Sequence, residues 1–219
     1  MEDNQENTKF PCWINTEDFQ VKYLYNQFIN VISRYTPDFK LAEELFQDIQ
    51  KNYSEKGRHY HNMTHIFRMT KEWSRVRIKL VDSDAVFFMI MYHDVIYKPT
   101  GKNNEQESAD FFKNNVASKL NMTQDFLMSV YMGILVTKHG SGFEEVVEKN
   151  KDFQYILDMD LEILGESNEK TYNWYRKGVR KEYSIYPNML YNPGRKKVLE
   201  MFLSKEKIYL TKEFEIKEK

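Results

Sequence analysis

All five histidines of this chain, His59, His61, His65, His93 and His139, stand where an imidazole could do chemistry. His61 and His65 are four apart, so on a helix they project from one face. His65 shares that face with Met69 and Trp73, which turns it towards the core. A single inward histidine reads first as a hydrogen-bonded core residue. The pair His93-Asp94 shifts that balance, because it closes the most apolar stretch of the chain, Ala85 to Tyr92. An ionisable pair placed there costs several kcal/mol unless a partner compensates. A divalent cation compensates well, since neutral imidazole and carboxylate are both good ligands; a protein ion pair is the other solution. A further carboxylate comes from Asp158-Met159-Asp160-Leu161, in an otherwise apolar segment. Asp158 and Asp160 are two apart and do not face the same way on a helix. Asp160 is taken as the ligand, with Asp158 its rival as a cap or support.

These residues need rigid elements to carry them, and the chain's periodicity is helical. Apolar residues recur at helical spacing over Asp18 to Tyr35, and Thr36-Pro37-Asp38 reads as the start of a second helix that stops before Gly57. A third helix is expected from about Asn62, with Ile66, Met69, Trp73, Val76 and Leu80 in one stripe. Ser83 is read as the cap of a fourth, apolar all round and therefore the most buried. Asn104 and Glu107 resemble a capping box for a fifth. Further helices are expected at Thr123 to His139, Gly142 to about Leu157 and Glu169 to Ser184, with a last one starting at Asn192-Pro193. Strand signals are poor. The fold class expected is all-α, a single compact helical bundle over residues 16–212, with a flexible start at 1–15 and a frayed charged tail at 213–219.

Bulk properties narrow the partners. The net charge of -1 gives no overall attraction to nucleic acid or anionic lipid. The aromatic rings sit mostly at core spacing with no basic patch beside them, so a nucleic-acid surface is not expected. The longest strongly apolar run, Ala85 to Tyr92, is too short to span a bilayer. The polar, acidic residues Met1 to Lys9 lack a secretion signal, and the single cysteine, Cys12, excludes an internal disulfide framework. A soluble cytoplasmic protein is expected. The apolar stripes can be absorbed by an intramolecular core and set no oligomeric state.

The order His, His-Asp, distant Asp resembles the HD superfamily of metal-dependent phosphohydrolases. Four blocks look like a small single-domain subgroup of it whose substrate is not settled. They are Arg58-His59-Tyr60-His61-Asn62-x-x-His65-Ile66, Tyr92-His93-Asp94-x-x-Tyr97, Asn104-Glu105-x-x-Ser108-Ala109 and Asp158-x-Asp160-Leu161-x-Ile163-Leu164-Gly165. The resemblance runs from about Tyr53 to the last helix. It implies an HD-type bundle in which His65, His93, Asp94 and Asp160 bind metal. The Tyr60-to-His65 block also resembles the opening motif of cyclic nucleotide phosphodiesterases, which implies His61 as proton donor to the leaving oxygen. An acid after the His-Asp pair orients or deprotonates the attacking water in other HD hydrolases, which implies that role for Glu105; an acid in the first turn of a helix that simply favours its dipole is the other reading.

His139 is a candidate for a second metal or for the substrate phosphate, and Arg58, Lys98 and Lys138 are candidate phosphate-binding cations. The cofactor expected is one or two divalent ions, among manganese, iron, cobalt, nickel, zinc and magnesium. The expected activity is hydrolysis of a phosphomonoester or phosphodiester of a small nucleotide-like molecule by a metal-activated water. A cyclic nucleotide phosphodiesterase, a metal- or nucleotide-binding module without turnover, and a purely structural helical protein are the alternatives.

Overall fold

The computed structural model describes residues 17–139 and 142–216; the expected flexible start at 1–15, and Cys12 with it, lie outside these. The described residues form α-helices and short 3-10 and π turns, with no strand among them, so the all-α expectation holds. In chain order the helices are α1 (Glu17–Ile32), α2 (Phe39–Tyr53), α3 (Met63–Val76), α4 (Ser83–Tyr92), α5 (Asn104–Phe111), α6 (Gln124–Val136), α7 (Glu144–Lys149), α8 (Lys151–Asp160), α9 (Glu169–Glu182), α10 (Asn188–Leu203) and α11 (Lys212–Glu215).

Helix α4 is the post around which the others stand. Every side chain from Ala85 to Tyr92 is fully buried, as an apolar surface on all sides requires. It packs against α3, α6 and α8, while α1 covers α3 and α2, and α5 lies along α6. Gly133 lets α6 come close: a Cβ there would stand 2.3 Å from the Met89 sulfur of α4. One apolar cluster unites these helices. A smaller one, of Tyr60, Ile163, Tyr175 and Val179, fixes α9. None of the helices is long and apolar enough to cross a membrane.

Helix starts are set by side chains that accept the unpaired N–H groups of the first turn, and several differ from expectation. Asp38, rather than Thr36, caps α2 by accepting from Leu41 N. Asp82, rather than Ser83, caps α4 through Asp84 N and Ala85 N. The capping box at Asn104 does not form; its side chain instead bonds both N–H and C=O of Lys98 and closes the 98–104 loop. The helix expected from Gly142 to Leu157 is two, because Asn150 caps a fresh start at Lys151. Helix α10 begins at Asn188, before Pro193, which it tolerates inside.

The described part of the tail, residues 213–216, departs from the expected fraying, while residues 217–219 lie outside the described residues. Residues 209–216 strap back over the bundle instead of fraying. Asp158 accepts from Leu210 N, Thr211 N and Thr211 Oγ1 at 2.6–2.8 Å. Phe214 is fully buried, and Glu213 accepts from Lys79 Nζ and from Tyr155 OH. Charge in this segment hid one buried ring. Phe214→Ala should therefore lower unfolding free energy by about 3 kcal/mol or more, measured as a drop in urea midpoint; a frayed tail would leave it unchanged.

Candidate metal centre

The site begins where α3 begins. Asn62 caps that helix by accepting from Thr64 N, so His61 lies just outside it. The two histidines therefore do not share a helical face, yet their rings stand 5.6 Å apart. His65, one turn inside α3, and His93, at the C-cap of α4, are both almost wholly buried. His93 Nδ1 donates to the Ile90 carbonyl at 3.0 Å, which turns the Nε2 lone pair of the neutral ring towards His65. Asp160 ends α8 and brings its carboxylate to the same point.

Three potential ligand atoms converge there. His65 Nε2 lies 3.2 Å from His93 Nε2 and 3.2 Å from Asp160 Oδ1, and His93 Nε2 lies 3.7 Å from that oxygen. A triangle of that size has a centre about 2 Å from each corner, the length of first-row metal bonds to nitrogen and oxygen. The donor set and its spacing fit a divalent cation. Asp94 Oδ2 stands 3.2 Å from His93 Nε2, and His139 Nε2 stands 3.2 Å from the second oxygen of Asp160. His65 and His93 close the inner side, while Asp94, Asp160, His61 and His139 each keep part of their side chain open to water. A ligand would enter from that side.

The charges are mutually arranged. Burial alone would keep His93 neutral, but the Asp94 carboxylate beside it outweighs burial and lifts its pKa to about 9. Asp94 is in turn held below the usual carboxylate range by His93, against its own burial. Asp160 is held far down by His139 and His65, again against burial. His65 falls below its ordinary value, because there burial exceeds the pull of Asp160. The cluster thus offers two ionised carboxylates and imidazoles whose protons a cation would displace.

Sequence reading missed Glu182. This buried residue of α9 accepts from the backbone N–H groups of His59, Tyr60 and His61 at 2.7–2.9 Å through Oε1. Its Oε2 accepts from His61 Nδ1 at 2.7 Å and from Tyr97 OH at 3.2 Å. Burial works against the His61 imidazolium, but the carboxylates around it, Glu182 first and then Asp94 and Asp160, together hold the His61 pKa above its ordinary value. With Nδ1 committed, Nε2 is the atom that can give a proton. Tyr97 stacks on the same ring at 4.3 Å. A signal existed: Thr171, Tyr175, Gly178, Val179 and Glu182 form the buried face of α9, and an acid on such a stripe marks a buried partner.

The other expected residues fare unevenly. Arg58 is not free for phosphate; it is buried and donates to the carbonyls of His61, Asp94 and Val95 at 2.7–3.2 Å. Lys98 lies 3.7 Å from Glu107, and Lys138 donates to the Lys102 carbonyl, both outside the cluster's bonds. Glu105 is half-buried in the first turn of α5, and among the described residues no hydrogen bond or ion pair joins it to the cluster. Asp158 is spent on the 210–211 strap, so Asp160 is the aspartate that faces the histidines.

No family model, curated protein or solved structure matches this chain.

Two measurements check the centre. Elemental analysis after reconstitution should find a divalent ion in the parent protein, with affinity reduced more than about 100-fold in Asp160→Ala and little changed in Asp158→Asn. By NMR titration, Glu182→Gln should lower the His61 pKa, since the strongest of the carboxylates that oppose burial is then gone.

Proposed function

We propose that this chain is a metal-dependent phosphohydrolase of the HD type, acting on a phosphomonoester or phosphodiester of a small nucleotide-like molecule. One observation carries the reading: three ligand atoms, from His65, His93 and Asp160, converge on one point beside a His61–Glu182 pair. A bound divalent ion would polarise a phosphoryl group and lower the pKa of water near it. Asp94, 3.2 Å from His93, is the fourth ligand in this reading. His139 serves a second ion or a phosphate oxygen, because it shares Asp160 from the solvent side.

The chain's own groups supply the rest. Glu182 favours the charged form of His61, which gives its Nε2 proton to the leaving oxygen. Tyr97 stacked on one face and Glu182 at Nδ1 hold that ring in place. Glu105 orients the attacking water. Its support is positional: Ser108 Oγ bonds both N–H and C=O of Ile96, and Asn104 does the same at Lys98. The first turn of α5 is thereby anchored to the segment just past Asp94.

One observation favours a second reading. His65 and His139 stand 3.2 Å from Asp160, and His93 3.2 Å from Asp94, contacts that a purely structural helical protein would also make. Failure to bind any divalent ion on reconstitution decides for it. A screen of linear and cyclic nucleotides separates the phosphatase from the cyclic phosphodiesterase.

In the leading reading, Asp94→Ala lowers phosphatase kcat/KM by at least about 100-fold with the fold retained by circular dichroism; unchanged activity overturns it. His61 must be protonated to act, so activity falls as pH rises through its pKa. Glu182→Gln lowers that pKa, and the alkaline limb of kcat against pH should move to lower pH.

A further inference from the structure

No basic patch stands beside the aromatic rings in the sequence, but side chains of α9 and α10 that meet across a groove make one. Between these helices runs an open groove of ≈ 880 Å³. Helix α9 contributes Arg176, Lys177, Arg180 and Lys181 to its lining, and α10 contributes Arg195 and Lys196. Glu200 is the single acid among the lining residues. In a chain of net charge -1, such a concentration of one sign is a local device. Bulk charge did not reveal it, because the acids lie elsewhere.

The floor is aromatic. Tyr172 and Tyr191 line it partly exposed, and Tyr175, buried, lies beneath Arg195. The Arg180 guanidinium lies 4.6 Å from the Tyr191 ring centre, and that of Arg195 lies 5.4 Å from Tyr175, whose hydroxyl it also meets. Arg180 is fixed further by Asn188 Oδ1 and the carbonyls of Tyr183 and Tyr186. Arg176, Lys177 and Lys181 make no ion pair among the described residues and point their charge into solvent. Partly exposed rings with unpaired cations along the α9 rim, from Tyr172 to Lys181 or about 14 Å, and with Arg195 and the Glu200-paired Lys196 on the α10 side, match a chain whose bases stack and whose phosphates run beside them.

We infer that the α9–α10 groove binds single-stranded nucleic acid, with bases on Tyr172 and Tyr191 and the backbone along the lysines and arginines. A duplex keeps its bases stacked inside and leaves the rings without partners. A mononucleotide calls for a pocket that encloses most of it, whereas this groove is open along its length. An acidic peptide would neutralise the cations but not use the aromatic floor. The inference does not rest on the metal reading: the groove's nearest link to the cluster is Tyr175, which packs on Tyr60 at 4.7 Å, and Tyr60 on His65 at 5.1 Å.

The test is fluorescence anisotropy of a labelled ten-nucleotide single-stranded RNA, and of the DNA equivalent, with full-length protein in EDTA. Binding is expected without metal, weakening with salt as phosphate contacts demand. The charge-reversed pair Lys177→Glu/Lys181→Glu should lose about tenfold or more, and Tyr172→Leu/Tyr191→Leu a comparable factor at constant salt dependence. Lys40→Glu/Lys113→Glu, outside the groove, should bind like the parent. Asp160→Ala should also bind like the parent, which separates this outcome from failure of the metal site. Undiminished binding by the charge-reversed pair overturns the inference, and so does inorganic polyphosphate or poly-glutamate binding as tightly as the oligonucleotide.

Discussion

A carboxylate taken out of water is unfavourable unless donors replace its hydration, and Glu182 has five of them: three backbone N–H groups, an imidazole and a phenol. That arrangement fixes the path of residues 59–61, which no helix or strand supports. Arg58 does the opposite work from the next residue along, gathering the carbonyls of His61, Asp94 and Val95 with one guanidinium. An anion collects the amides and a cation the carbonyls of one irregular segment. Between them they lock the turn that carries His61 to the turn that carries Asp94. Removing either charge would strand several buried backbone groups at once, a loss larger than one hydrogen bond.

A third charged contact holds the remaining wall. Arg68, three residues beyond His65, meets both carboxylate oxygens of Glu162 at 2.5 and 2.9 Å, and Glu166 at 3.3 Å. Glu162 follows Asp160 by two residues, so this fork ties α3 to the end of α8 immediately beside the histidine–aspartate contact. A bidentate pair fixes angle as well as distance. The site is thus bounded by contacts whose geometry is set by paired charges, while the apolar faces of α3, α4 and α8 set only its depth.

The helical pattern made most elements legible, and α4 in particular, since a run without a polar face can only be interior. Ligand candidates were legible for the same reason: His65, His93 and Asp160 are ionisable residues in apolar surroundings. Local signals resolved less. Asn104 carries the features of a cap but closes a loop, because its side chain meets Lys98 on both backbone groups. Arg58 was misassigned because its partners are backbone carbonyls, which leave no trace in residue type; Glu182 was missed although it stands on the buried stripe of α9, because a stripe marks burial and does not name the partner. The basic groove was invisible for a different reason. It draws its cations from two helices, and its rings look like core residues until the helices are side by side.

The strap at residues 209–216 bears on how the molecule comes together. Asp158 reaches Thr211 across 53 residues, Lys79 reaches Glu213 across 134, and Glu182 reaches back 121 or more to residues 59–61. Helical proteins ordinarily gather near neighbours and fold quickly, whereas contacts so distant in sequence must first close long loops. The central post and its sheath can condense from local segments. The end of α8 that carries Asp160, and the turn that carries His61, acquire their final supports only when α9 and the strap arrive. The supports of the candidate site thus carry the loop-closure cost of distant contacts, a cost that the helices themselves do not bear.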